Sequence, residues 1–197
     1  CAPFLYGDTS SAVVIVNELT RATKDGRLPG DVHILVRYRP GTPPIKEGLL
    51  EPSDHLSVTR PCSKYFEVKN TQAPTKDWEF TTDDLNLLLN TLYFSDVTIN
   101  SMSTLSIDAA IFDKPVINVR FDASQDVPAD ESVAIFLKHT HYKSVEDSGG
   151  VRRVWNMKEL IDAVREYLEH PEHDSAGRGK IIQEQIEFTD GQAGART

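Results

Sequence analysis

Three hydroxyl side chains fall within four positions, at Ser101, Ser103 and Thr104, and Asp108 follows four residues after Thr104. Hydroxyls bunched just ahead of a helix can accept from its unpaired first-turn amides or donate to phosphate oxygens. A carboxylate one turn further on shares the helical face of Thr104. It would repel a phosphate that it faced, so its natural partner is a ribose hydroxyl pair, as in dinucleotide folds. The same residues also read as a plain helix cap followed by a solvent-facing Asp108, and the spacing leaves both open. Arg37 and Arg39 follow the apolar run Val32–Val36. Two guanidiniums at a strand's carboxyl edge can fork onto phosphate or carboxylate, or form a solvated basic turn.

Loss of a nucleotide diphosphate needs its charge stabilised. No Asp-x-Asp triplet for a metal occurs in the chain, so helix amides, hydroxyls and an Arg or Lys would do that work. His139-Thr140-His141 and His170-Pro171-Glu172-His173 carry metal-ligand residue types. No cysteine pair or further His cluster supports the first, and Pro171 breaks the helical face that the second would use. No metal and no cofactor is expected.

The elements that must position these residues follow an alternating α/β pattern. Val97–Ile99 and Val116–Val119 are short β-branched runs of the kind buried in parallel sheets. Between them lies a helix that Asp113-Lys114-Pro115 stops, because proline pushes the preceding residue out of the α region. Cys1–Tyr6 reads as the end of a strand. Ala12, Ile15, Val16, Leu19 and Ala22 recur at helical spacing, with caps offered by Asp8–Ser11 and a C-terminal Gly26. Residues 41–76 are Pro-rich and irregular, with one strand at His55–Thr59. Trp78 is read as a packed side chain or a nucleobase platform. Thr81 or Thr82 caps a helix whose Leu85, Leu88, Leu89 and Leu92 form a buried stripe. Ser132–His139 is a short helix. Gly149-Gly150 turns into a strand carrying Arg152 and Arg153. Asn156 caps a helix with Glu159 at the capping-box position, and Arg178–Phe188 is a final amphipathic helix.

At 197 residues the chain fits one domain, with residues 170–197 as a C-terminal helix and tail. The net charge of −9 argues against nucleic acid or an anionic membrane as a partner through bulk electrostatics, and a membrane association would be peripheral at most. Cys1 and Cys62 make no disulfide framework, which fits a reducing compartment.

Ser101–Val119 resembles the donor-binding segment in the C-terminal domain of GT-B fold glycosyltransferases. It is also similar to CDP-glycerol glycerophosphotransferases and UDP-N-acetylglucosamine 2-epimerases. The resemblance rests on Ser101/Ser103, Asp108-Ala109, Asp113-Lys114-Pro115 and the Val/Ile strand after them. It extends loosely over residues 31–190, and Asp190-Gly191-Gln192-Ala193-Gly194-Ala195-Arg196 resembles the ending of the glycerophosphotransferase-like group. Asp108 stands where the sugar transferases usually carry Glu, and Arg39 where the glycerophosphotransferases carry His, so the role of that His does not carry over.

The resemblance implies a Rossmann-like parallel sheet flanked by helices, one half of a GT-B fold. Arg37, Arg39, Ser101, Ser103, Thr104, Asp108, His141 and Tyr142 would face a nucleotide-sugar or CDP-alcohol donor in surface-glycan synthesis, in the cytoplasm or at the inner face of the cell membrane. Acceptor and general base would belong to a separate N-terminal domain of a longer protein, leaving this chain a donor binder with little turnover of its own. The alternatives are an epimerase relative, whose acid and base residues the sequence does not place, and a non-catalytic α/β scaffold module.

Overall fold

The computed structural model describes residues 11–38, 45–60, 64–68, 75–79, 81–125, 127, 132–138 and 142–196. The expected strand at Cys1–Tyr6, the caps at Asp8–Ser10, Arg39, Cys62 and His139–His141 lie outside them. Trp78 falls on a described strand, but its side chain lies outside the described residues.

Helix α1, Ser11–Lys24, buries Ala12, Val13, Ile15, Val16, Leu19 and Ala22 despite its β-branched run, so packing overrides a modest propensity. Gly26, at φ 73, takes the left-handed conformation that glycine supplies beyond a helix end. Strands β1 (Ile34–Arg37) and β2 (Leu56–Thr59) pair in parallel, with Ile34 opposite Leu56 and Arg37 opposite Thr59. The Pro-rich stretch also holds a hairpin that the sequence reading passed over. Here β3 (Lys64–Val68) and β4 (Thr75–Glu79) are antiparallel. Five-residue strands beside Pro61 and Pro74 carry too little periodicity to stand out.

Helix α2 runs Thr82–Phe94 behind the expected cap. Thr81 Oγ accepts the Asp84 amide at 3.1 Å, and Asp84 Oδ2 accepts the Thr81 amide at 3.1 Å. Its leucine stripe needs correction. Leu92 is buried and Leu88 half-buried, whereas Leu85 and Leu89 are 47% and 51% exposed. The helix packs along Leu88 and Leu92, so Leu85 and Leu89 fall on the adjoining stripe with Tyr93.

The second half builds a three-stranded parallel sheet in the order β5 (Thr98–Asn100), β6 (Val116–Val119), β7 (Arg152–Val154). Helix α3 (Leu105–Ile111) links the first two strands. A 3-10 helix at Val133–Lys138 and α4 (Lys143–Asp147) precede β7. Then come α5 (Met157–Glu169), α6 (Ser175–Gln185) and α7 (Ala193–Arg196). All four β6 residues are buried, and their alternation sorts the core. Ile117 and Val119 join Ile15, Leu19, Val154, Leu160 and Tyr167 from α1, β7 and α5. Val116 joins Ala109, Tyr142, Val145 and Ile181 on the other face. The protein is therefore α/β, with parallel sheets flanked by helices.

The amino edge of this sheet is closed by backbone contact and a buried cation. Gly149-Gly150 crosses Gly177 of α6 so closely that a Cβ on Gly177 would lie 2.3 Å from the Gly150 nitrogen. Next to it, Arg178 is fully buried. It donates to Asp113 Oδ1 (2.7 Å) and to the carbonyls of His173 (2.6 Å) and Pro171 (2.8 Å). The helix expected at Arg178–Phe188 thus runs three residues earlier, Ser175–Gln185, is followed by α7, and sends Arg178 and Ile181 into the interior. Beyond α6, Arg196 pairs with Asp190 and covers the Phe188 ring.

Arg152, opening β7, forks onto Glu166 of α5 at 2.7 and 3.2 Å and reaches Asp174 at 3.1 Å. The guanidinium, then His173, hold the Glu166 carboxyl down to about 2, against an ordinary value of 4.5. A carboxyl depressed in the folded state stabilises the fold above its unfolded pKa and loses that contribution as pH falls through the folded one. Glu166→Gln should therefore be less stable than wild type near neutrality, with the gap closing between pH 4.5 and about 2. Urea midpoints measured across that range test it. The half-exposed setting makes the gap modest, and a gap that does not change with pH would refute the pairing.

Candidate functional site at the carboxyl edge of the β5–β6–β7 sheet

In open α/β sheets ligands bind beyond the carboxyl ends of the strands. Three segments meet that edge here. They are Ser101–Thr104 after β5, Arg120–Ser124 after β6, and Trp155–Asn156 after β7. The first is held from below by a buried polar network. Asn100 Oδ1 accepts the Ser103 amide at 3.1 Å and the Asn118 side-chain amide at 2.9 Å. Asn100 Nδ2 donates to Ser106 Oγ at 3.0 Å. The Tyr142 hydroxyl lies 2.6 Å from Ser106 Oγ and 3.0 Å from Asn118 Oδ1. All four side chains are 2% exposed or less, so each polar atom depends on the others for its partner. Burial pushes the Tyr142 phenol up to about 12, which keeps it a neutral donor.

This anchoring leaves the β5–α3 loop in an uncommon shape. Met102 sits at φ 52, a left-handed conformation that a residue with a Cβ adopts at some cost. Ser103 Oγ accepts the Leu105 amide at 3.2 Å. Thr104 occupies the N-cap position without a capping bond from its side chain and is exposed. Ser101 is 3% exposed. Of the three hydroxyls expected to meet a phosphate, the loop thus presents Thr104 outward, commits Ser103 to the helix start and turns Ser101 inward. Asp108 is half-buried on α3, and burial pushes its carboxyl up. Such a group gains from a hydroxyl donor and would resist a facing phosphate.

Two other expected contacts are corrected. Arg37 ends β1 but is 5% exposed. Burial lowers its pKa, while the charge of Asp84 at the start of α2 opposes that shift. It is a buried strand-end cation, not an outward fork. Tyr142 lies beneath the loop as part of the network, because its ring packs into the core with Val116, Val145 and Ile181. Arg39 and His141 lie outside the described residues.

The sequence reading missed the cationic and aromatic rim of the same edge. Arg120, the first residue past β6, has a side chain only 7% exposed and ion-pairs with Glu146 of α4. Its guanidinium lies 5.7 Å from the Trp155 ring centroid. Burial first, then the charge of Arg153, lowers its pKa. Arg153 is exposed, and Trp155 is 54% exposed. Their signal was positional, since each sits in or just after a short β-branched run. The loop after β6 is fixed as well. Asp122 accepts the Ser132 hydroxyl (2.6 Å) and the Val133 amide (2.9 Å). Ser11 Oγ, at the start of α1, accepts the Ala123 amide at 3.0 Å.

The edge thus combines a pinned hydroxyl loop, a half-buried carboxyl, the exposed Arg153 guanidinium and an exposed indole backed by Arg120. These groups can hold a ligand with a negative charge, a diol and a flat ring. Compared with family models, curated proteins and solved structures, the chain finds no match.

Proposed function

We propose that this chain binds the nucleotide-diphosphate part of an activated sugar or CDP-alcohol donor at this carboxyl edge. The reaction it serves is metal-independent glycosyl or glycerophosphoryl transfer in surface-glycan synthesis, on the cytoplasmic side of the membrane. The observation that carries the reading is the buried Asn100–Ser106–Asn118–Tyr142 network. It holds the Ser101–Thr104 loop in one conformation at the sheet edge that bears Arg153 and Trp155. Fixed groups stabilise developing charge without reorganising. Thr104 and the loop amides take phosphate oxygens, with Arg153 supplying charge. Asp108 takes the ribose hydroxyls, and Trp155 offers a face to the base. Acceptor and general base come from a further domain, so the isolated chain binds without efficient turnover.

A thermal-shift titration in chelator with UDP, CDP, GDP and ADP tests this. A ligand at 100 times its dissociation constant adds about 2.7 kcal/mol. One of the four is expected to stabilise the wild type. The effect should be lost in Thr104→Ala/Asp108→Ala and weakened at least about tenfold in Trp155→Ala, in line with the worth of a stacked base. No stabilisation by any of the four would sink the proposal. It would favour the non-catalytic scaffold module, a reading that the burial of Arg37 and Tyr142 already supports.

A further inference from the structure

The far edge of the sheet carries a second cluster of chemically capable side chains. α5 follows β7 and runs back across the sheet, so its end at Glu169 lies toward the amino edge, away from the loop of Ser103. His170 ends the helix, and Pro171 breaks the face on which two histidines would align. The chain turns instead. The His173 amide donates to the His170 carbonyl at 3.1 Å. The two imidazoles stack with centroids 5.0 Å apart and planes 17° apart. Glu172 Oε1 lies 3.4 Å from His170 Nδ1. One ligand-capable atom from each of His170, Glu172 and His173 lies within 4.8 Å of the other two.

This turn is held from within. Buried Arg178 binds the carbonyls of Pro171 and His173 at 2.8 and 2.6 Å. Pro171 adds its own restriction on φ. Glu166 Oε1 sits 2.9 Å from His173 Nδ1 and orients the ring, while Arg152 fixes Glu166. Two imidazoles and a carboxylate, backed by a carboxylate on one ring, form a ligand set suited to borderline divalent ions.

We propose that His170, Glu172 and His173 bind a divalent first-row transition ion of the Zn2+ type, with Glu166 as a positioning residue and water completing the coordination. All three ligands are exposed, so the ion enters without unfolding. Its place at the amino edge makes it a clamp on the α5–α6 turn, separate from the donor edge.

Isothermal titration of the whole chain with zinc chloride, its cysteines alkylated, tests this. One saturable site per chain is expected. His170→Ala and His173→Ala should each weaken it at least about tenfold, and Glu166→Gln by about tenfold, the usual cost of losing such a support. The double variant His139→Ala/His141→Ala should leave it unchanged. Co2+ loaded in place of Zn2+ should give visible absorption that disappears in the two single-histidine variants and shifts in Glu166→Gln, a change that a merely structural carboxylate would not cause. Thermal melts in chelator check that the variants remain folded. Absence of saturable zinc binding would overturn the proposal, as would binding that survives in both His170→Ala and His173→Ala.

Discussion

Arg178→Ala is expected to lower the unfolding free energy by about 3–5 kcal/mol, read as a shift of the urea midpoint near neutral pH. The side chain is one of the largest fully buried among the described residues, so truncation opens a cavity. It also strands two main-chain carbonyls, His173 and Pro171, that now receive guanidinium N–H groups at 2.6 and 2.8 Å. Asp113 suffers least, since its side chain is 62% exposed and water can replace the lost partner. Arg178→Lys should recover less than half of the loss. An ammonium carries the charge but not the planar fork that reaches three acceptors at once. A loss below about 1 kcal/mol, the ordinary range for a surface change, would show that the residue is not the keystone of this corner.

One turn of α6 holds the second large effect. Gly177→Ala would put a methyl 2.2 Å from the Gly149 carbonyl carbon and 2.3 Å from the Gly150 nitrogen. Both are main-chain atoms, so no rotamer change can yield, and α6 must lift away from the turn into β7. Overpacking of this kind costs about 3 kcal/mol, roughly 10 °C in melting temperature for a chain of this length. Gly179, two residues on in the same helix, has nothing within 4 Å of its Cβ position. There alanine should raise the melting temperature by about 2–4 °C. Opposite signs at neighbouring glycines separate close approach from helix propensity, and equal shifts at both would refute the packing account.

What the sequence made legible is the part that short-range physics dictates. Asp113-Lys114-Pro115 sits where α3 gives way to β6, and the Val116–Val119 strand runs as read. Asn156 caps α5 through the Glu159 amide, and the α1 stripe faces inward. What escaped is what distance in the chain conceals. Asn100, Ser106 and Asn118 look like ordinary polar residues at element ends. Only the 18 positions between the two asparagines, closed by strand pairing, make them a network. Arg178 reads in the sequence only as the start of a final helix, because its acceptor, Asp113, lies 65 positions earlier. Leu85 and Leu89 failed in the opposite direction. A run of leucines on α2 carries more apolar surface than one face can bury, and periodicity does not say which stripe wins. Of the candidate site, the hydroxyl loop was readable and the Arg120–Trp155 rim was not. Neither belongs to a motif, and parallel pairing of β6 with β7 brings them together.

The bond from Ser11 to the Ala123 amide spans 112 positions, and this has a consequence for synthesis on the ribosome. The α1 stripe of Ile15, Leu19 and Ala22 meets Leu28, Val32 and Ile34 early, but the rest of its cover comes from β6, β7 and α5, made long after it. At roughly 5–20 residues per second, 112 positions take on the order of ten seconds. Throughout that interval Ile15, Leu19 and Ala22 have only Leu28, Val32 and Ile34 of their native cluster to meet, and a helix of 14 residues is marginal alone in water. The nascent segment must wait as a partly covered apolar strip, the kind of surface that chaperones hold, and the chain can close its larger core only once α5 has emerged.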